Sequence, residues 1–241
     1  MRNEKYGIHY IFNVYKTTFN LERKKRIAMN KMNNYINSVF VDEQDGLLEE
    51  VISSIKENGM PSISVSPSSG KLLTMLISIS GAENVLEIGA LGGYSGICLA
   101  RGFGEEGTLT SLELKENYAE LARNNLSKAG YGDQVSYITG SAVESLQQLV
   151  EEQKKFDFFF IDADKGNYEN YLQYCIQLAE PGALIVSDNV LAGGSVIDET
   201  VKPKGYTETM REFNETVANH PRLESMLIPI GDGLTVSRVK K

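Results

Sequence analysis

The sequence predicts an α/β domain built on a mostly parallel sheet, with helices on both faces and an antiparallel strand at its end. Beyond residue 83, short apolar runs alternate with amphipathic stretches, the pattern of strands joined by crossover helices. The last two runs, 223–229 and 233–239, lie too close together for a crossover helix. They should form a hairpin through Ile230-Gly231-Asp232-Gly233, which reverses the final strand. Composition agrees, since 241 residues at 41% hydrophobic and 23% charged suffice for one well-buried core, and no internal repeat is visible.

Residues 1–30 stand apart as an N-terminal extension, with aromatic residues Tyr6, Tyr10, Phe12, Tyr15 and Phe19 in no regular period and then the basic run Arg23 to Arg26. The extension is read as disordered, as a helix packing on a partner subunit, or as an upstream misassignment of the start, because Met29 and Met32 offer later ones. Residues 31–241 are read as one domain. It opens with extra helices. Leu47, Leu48, Val51, Ile52 and Ile55 fall at helical spacing and Asn58-Gly59 provides a stop. Ser66 then caps a second helix with Pro67 in its first turn, running through Leu72, Leu73, Leu76 and Ile77. Strands are expected near 84–88, 108–113, 134–138, 156–161 and 182–187, with helices filling most of the gaps.

Charge and composition narrow the function. A net charge of −8 and a pI of about 5.0 provide no global field for nucleic acid or an anionic membrane. No run is long and apolar enough to span a bilayer. Cys98 and Cys175 lie far apart in helical stretches and read as buried reduced thiols, which suits a cytoplasmic location. His9 and His220 are the only histidines and read as surface residues, so proton transfer falls to carboxylates, Lys or Tyr.

Two features describe a nucleotide site. Val85 to Ser95 runs from strand through a Gly-rich turn into a helix, and glycines let the backbone approach a ligand closely. Leu91 stands where the dinucleotide pattern G-x-G-x-x-G requires glycine, which disfavours a nicotinamide cofactor. Glu113 closes the next strand 24 residues beyond Gly89, where a carboxylate can accept the hydroxyls of a ribose. The plainer reading of Glu113 is a favourable charge at a helix start.

A second constellation suits a cation. The run Phe156 to Ile161 ends in Asp162-Ala163-Asp164-Lys165, and the next ends in Asp188-Asn189, so neighbouring strands deliver Asp162, Asp188 and Asn189 to one sheet edge. Two carboxylates and an amide suit a hard divalent ion, Mg²⁺ before Ca²⁺ or Mn²⁺, with open positions for substrate oxygens. Each residue alone could merely cap a turn. Asp157, at the other end of its strand, is read as structural.

The motifs EIGALGGYSG, IDADKGNY and SDNV and the tail PRLESMLIPIGDGLTVSR together resemble the cation-dependent O-methyltransferases, which include catechol O-methyltransferase and the caffeoyl-CoA enzymes. The likeness covers about residues 45–241 in order and spacing. It implies the Rossmann-like class I methyltransferase fold with strand order 3-2-1-4-5-7-6, S-adenosylmethionine as cofactor, and a homodimer. It further implies that Asp162, Asp188 and Asn189 hold the metal and that Lys165 takes the proton from the substrate hydroxyl. Val65, Glu87, Gly89, Ser95, Glu113, Ala142 and Asp164 fall on its cofactor-contacting positions.

The chain departs from the plant caffeoyl-CoA enzymes after Val190, where it reads Leu-Ala-Gly-Gly-Ser without their Trp-Asn, so a coenzyme-A thioester is not implied. The expected acceptor is a catechol-like small molecule, with the 190–206 loop lining its pocket. One alternative keeps the chemistry and methylates a hydroxylated uridine in transfer RNA, with Arg23 to Arg26, Lys202, Lys204 and Arg211 as possible phosphate contacts. A non-catalytic cofactor-binding protein is the other, and retention of Lys165 together with Asp162, Asp188 and Asn189 speaks against it.

Overall fold

The computed structural model describes residues 31–41 and 45–240. The N-terminal extension, with its basic run and His9, lies outside the described residues. Seven strands form one sheet in the order β3-β2-β1-β4-β5-β7-β6. They are β1 (Asn84–Ile88), β2 (Thr108–Glu113), β3 (Val135–Thr139), β4 (Phe156–Ile161), β5 (Ala179–Asp188), β6 (Leu223–Ile228) and β7 (Leu234–Val239). The five central and left-hand strands pair in parallel, and β7 lies antiparallel to both β5 and β6, as the short 228–234 connection requires.

Eight helices surround the sheet among the described residues. They are α1 (31–40), α2 (Gly46–Glu57), α3 (Pro67–Ser80), α4 (Tyr94–Ala100), α5 (Glu116–Lys128), α6 (Ala142–Glu151), α7 (Tyr168–Leu178) and α8 (Thr207–Asn219). The predicted caps are present: Ser66 accepts the Ser69 N–H ahead of Pro67, and α2 stops before Asn58. Asp157 is structural, its two oxygens accepting the Glu83 and Asn84 N–H groups at 3.0 and 2.9 Å and so closing the start of β1.

Strand alternation divides the core into two layers. Leu86 and Ile88 of β1, with Phe159 and Ile161 of β4, face α6, α7 and α8. Val85, Phe158 and Phe160 face α2 to α5 on the other side. Each fully buried Phe of this run contributes about 2 kcal/mol of transfer free energy. Both cysteines are buried and free, and His220 is half-buried.

Three boundaries differ from expectation. Strand β5 begins at Ala179 rather than 182, because Ala179 pairs with Phe156 before the register shifts at Phe158. Strand β3 begins at Val135, after a 3-10 turn at Gly132–Gln134. Gly233 belongs to the hairpin turn and not to β7, its φ of +81° being incompatible with an extended strand.

Candidate active site

A cleft of about 700 Å³ opens beyond the carboxyl ends of β1, β2 and β4, where the crossovers of an α/β sheet diverge. Its floor is the glycine turn. Gly89 has φ +102°, its N–H donates to the Leu112 carbonyl, and an added Cβ would lie 2.3 Å from the Asp162 carbonyl oxygen. Only glycine fits there. Asp162 N–H in turn donates to the Ile88 carbonyl, so the cofactor turn and the end of β4 are directly in contact.

Among the expected cofactor residues, Val65, Gly89, Ser95, Glu113, Ala142 and Asp164 line this cleft. Val65 arrives on the segment before α3, and Ala142 sits at the start of α6. Glu113 is only 8% exposed, and its oxygens accept the N–H groups of Leu91 and Lys115, bracing the glycine turn against β2. Leu91 pays for that bond in conformation, with φ +49°.

Glu87 is placed differently from expectation: it does not line the cleft. In β1 it alternates with Leu86 and Ile88, points to the opposite layer and sits opposite Ser111 of β2. Its oxygens accept the Ser95 hydroxyl at 2.5 Å and the Ser111 hydroxyl at 2.6 Å. Burial pushes its carboxyl up to about 7 against those two hydrogen bonds. Glu87 thus reaches the cleft through Ser95.

The charged end of the cleft carries the other group. Lys165 sits in a 3-10 turn, Lys165–Asn167, that leads into α7. Its side chain is 10% exposed, and its ammonium donates to Asp162 Oδ1 at 2.8 Å and to the Tyr168 hydroxyl at 2.6 Å. The Tyr168 hydroxyl also lies 3.0 Å from the Asp188 carbonyl and 3.2 Å from that of Ile161, so it joins the ends of β4 and β5 to the lysine. Its own proton can serve those carbonyls because the lysine supplies the third bond. Burial raises the Tyr168 hydroxyl well above its ordinary value, which keeps it a neutral donor.

Asp188 lies at the buried end of β5, 2% exposed, and its carboxyl is pushed up to about 7, first by burial and then by the charge of Asp162. Asn189 follows with φ +60°, a conformation Asn tolerates well, and lines the cleft beside Asp162. Its backbone N–H donates to Asp188 Oδ1 at 2.6 Å, which ties the two neighbours together. No three His, Cys, Asp or Glu side chains gather in metal-binding geometry among the described residues. The set at hand is two carboxylates and a side-chain amide, and the repulsion between Asp162 and Asp188 is one that a divalent cation would relieve; these residues fit such an ion.

The sequence does not single out Tyr168, Tyr171 or Ser111, and marks Tyr206 only as the end of the 190–206 loop. Tyr171 donates to Asp164 Oδ1 at 2.5 Å and Asn167 to Asp164 Oδ2, fixing a carboxylate that lines the cleft. The three-residue spacing of Lys165 and Tyr168 was a usable signal, because helical turns bring such pairs together. From the 190–206 loop only Tyr206 lines this cleft, with Asn189 just ahead of it. The rest is fastened to α8: Arg211 donates to the carbonyls of Ser195 and Val196, Asn214 to that of Val190, and Ser195 shares a 2.6 Å hydroxyl contact with Thr207.

Comparison with known proteins fits this geometry. An O-methyltransferase family profile matches residues 37–240. The chain belongs to the O-methyltransferase family. A catechol O-methyltransferase from Niastella koreensis is 39% identical over 215 residues, 87% of this chain and 96% of that protein. Caffeoyl-CoA O-methyltransferase 1 from Eucalyptus globulus is 37% identical over 184 residues, covering 73% and 74% of the two chains. An O-methyltransferase from Bacillus cereus, solved in complex with SAH, superposes with a TM-score of 0.79 at 39% identity over 87% of this chain and 97% of that one. This chain is an S-adenosylmethionine-dependent O-methyltransferase built on a seven-stranded sheet.

Proposed function

We propose that this O-methyltransferase moves the methyl group of S-adenosylmethionine to one hydroxyl of a catechol-like small molecule, with a divalent cation, Mg²⁺ by preference, held by Asp162, Asp188 and Asn189. The observation that carries the reading is Lys165 held between Asp162 and Tyr168 at the end of a cleft whose floor is the Gly89 turn. The catechol and caffeoyl-CoA enzymes among the relatives point to acceptors with adjacent ring hydroxyls. When bound, the cation supplies Lewis-acid charge that favours the ionised hydroxyl and seats two vicinal oxygens.

The remaining work falls to side chains. Glu113 takes the ribose hydroxyls with the lone pairs that Leu91 and Lys115 leave free, and Asp164, fixed by Tyr171 and Asn167, faces the donor's ammonium. Lys165 enters the step as the neutral amine, its ammonium proton having passed to solvent, then takes the hydroxyl proton and returns to the ammonium that pairs with Asp162. The acceptor oxygen attacks the sulfonium methyl in line, a C–O bond forms, the C–S bond breaks with its electron pair leaving on sulfur, and S-adenosylhomocysteine departs.

The transfer-RNA alternative draws no support from these observations. Arg211 is spent on loop carbonyls and Lys204 lies against Asp232 and Tyr206. A homodimer is part of the proposal, supported by Ile52, Met75 and Ile79 exposed on α2 and α3, and sedimentation at micromolar concentration tests it. The reducing, cytoplasmic setting fits two buried free thiols.

The test is transfer of labelled methyl to a catechol, a caffeate ester and a hydroxylated transfer RNA, each with Mg²⁺ and with chelator. Metal-dependent label on the catechol is expected. Label that persists in chelator removes the cation, and label confined to RNA removes the small-molecule acceptor.

A further inference from the structure

The turn between β6 and β7 touches more of the cleft's surroundings than a hairpin needs to. Its backbone receives the acceptor-side loop, with Leu191 N–H donating to the Asp232 carbonyl at 3.0 Å and Val190 N–H to that of Gly233 at 3.2 Å. Leu191 packs so closely on this turn that a Cβ on Gly233 would lie 2.5 Å from its side chain. From the other side, α1 reaches the turn through Asn33, whose amide donates to the Gly231 carbonyl at 3.0 Å.

The carboxylate of Asp232 does something separate from this backbone stitching. Its Oδ1 accepts the Gly193 N–H at 2.7 Å, while its Oδ2 lies 3.9 Å from the Lys204 ammonium. Gly193 stands at the start of the 190–206 loop and Lys204 near its end, so one side chain holds both arms. The Lys204 ammonium also lies 5.4 Å from the centroid of the Tyr206 ring, and the Lys204 N–H donates to Thr207 Oγ1 at the start of α8. Tyr206 is the loop residue that lines the cleft.

We propose that Asp232 is a positioning residue for the acceptor: by tying Gly193 and Lys204 to one carboxylate it closes the 190–206 loop and sets Tyr206 as the aromatic wall against which an acceptor ring lies. This rests on the reading above that the acceptor enters beside Lys165 and Asn189. It adds a determinant that neither the glycine turn nor the carboxylate cluster contains. Asp232 hydrogen-bonds to neither, and its charge reaches only the Asp188 and Lys165 end of the cleft, so the half built on the Gly89 turn and Glu113 is independent of it.

Two measurements on the full-length protein decide the matter, using Asp232→Ala, Asp232→Asn and Lys204→Met. The first is amide hydrogen exchange of peptides spanning 190–206, with thermal unfolding as a control on folding. Faster exchange at Gly193 and at 200–206 is expected in Asp232→Ala. In Asp232→Asn, which keeps an acceptor for Gly193, the change should be confined to the Lys204 arm. Unchanged exchange in Asp232→Ala overturns the proposal, whatever the enzyme's turnover.

The second measurement separates KM from kcat with a catechol acceptor and titrates S-adenosylhomocysteine by calorimetry. Loss of one charge-assisted contact should raise the acceptor KM about tenfold in Asp232→Ala and Lys204→Met, with cofactor affinity unchanged. A fall in kcat at constant acceptor KM, or an equal loss of cofactor affinity, overturns it. A wild type that methylates no catechol defeats the functional reading instead, and the exchange result still stands on its own.

Discussion

Replacing Glu87 by Gln makes the pH dependence of stability a direct readout of the buried pocket behind Ser95. The Glu87 carboxyl is fully enclosed and raised from an ordinary 4.5 to about 7, chiefly by burial. A raised carboxyl favours the protonated native state, so its effect is absent below the unfolded value of 4.5, where both states carry the proton. As pH climbs from 4.5 to 7 the unfolded chain ionises first, and the native state loses ground. Above 7 the loss is complete. A shift of about 2.5 units at 1.36 kcal/mol each comes to about 3 kcal/mol. Glutamine carries no charge, keeps an acceptor for one serine and offers a donor to the other, so it abolishes this slope. Urea unfolding of wild type and Glu87→Gln at pH 5 and pH 8 measures the difference, in which the contribution of Asp188 cancels. Glu87→Gln should gain about 2.5 kcal/mol relative to wild type between the two pH values, because the unfolded carboxyl is already partly ionised at pH 5. A difference that stays flat with pH would refute the argument that Glu87 is held uncharged by burial.

Other substitutions probe the cleft itself. Gly89→Ala meets the Asp162 carbonyl at 2.3 Å in a left-handed conformation, and should cost about 3 kcal/mol or more in chemical unfolding and abolish calorimetric binding of S-adenosylhomocysteine. Lys165→Met should lower turnover by a factor on the order of 10² to 10⁴ while cofactor affinity holds; unchanged turnover removes Lys165 as the base. Tyr168→Phe deletes a hydroxyl that meets the Lys165 ammonium and two carbonyls, and should cost about 1–2 kcal/mol in stability and depress kcat more than the KM for cofactor. Equal changes in both constants would mark Tyr168 as packing alone.

Much of this architecture is legible in the sequence because strands buried on both faces leave uninterrupted apolar runs. The run from Phe156 to Ile161 declares itself, and the carboxylates after it and after Ser187 are necessarily carried to one sheet edge. Glu87 is harder to read, because strand alternation and pairing with Ser111 decide its facing, and pairing is a relation between residues 24 positions apart. The Tyr168 hydroxyl reaches Asp188 across 20 positions of chain, a contact no local period encodes. Asp232 reads as an ordinary turn residue, since Asp is favoured in turns for local reasons, and its reach to Gly193 39 residues away is visible only in three dimensions. The early start of β5 was hidden by Pro181 and Gly182, a pair that reads as a break until Ala179 is seen beside Phe156.

The contact between Gly89 and the backbone of Asp162 means that the donor turn and the acceptor-side turn leave adjacent strands of one sheet. Neighbouring strands keep a spacing of about 4.8 Å that side-chain changes barely alter. On the proposed reading, the gap the methyl group crosses is therefore set by the sheet's own spacing and not by either loop. Loops on the acceptor side can be exchanged to admit new substrates without resetting that gauge, which makes this scaffold a forgiving host for altered selectivity and an intolerant one for any side chain added at its shared boundary.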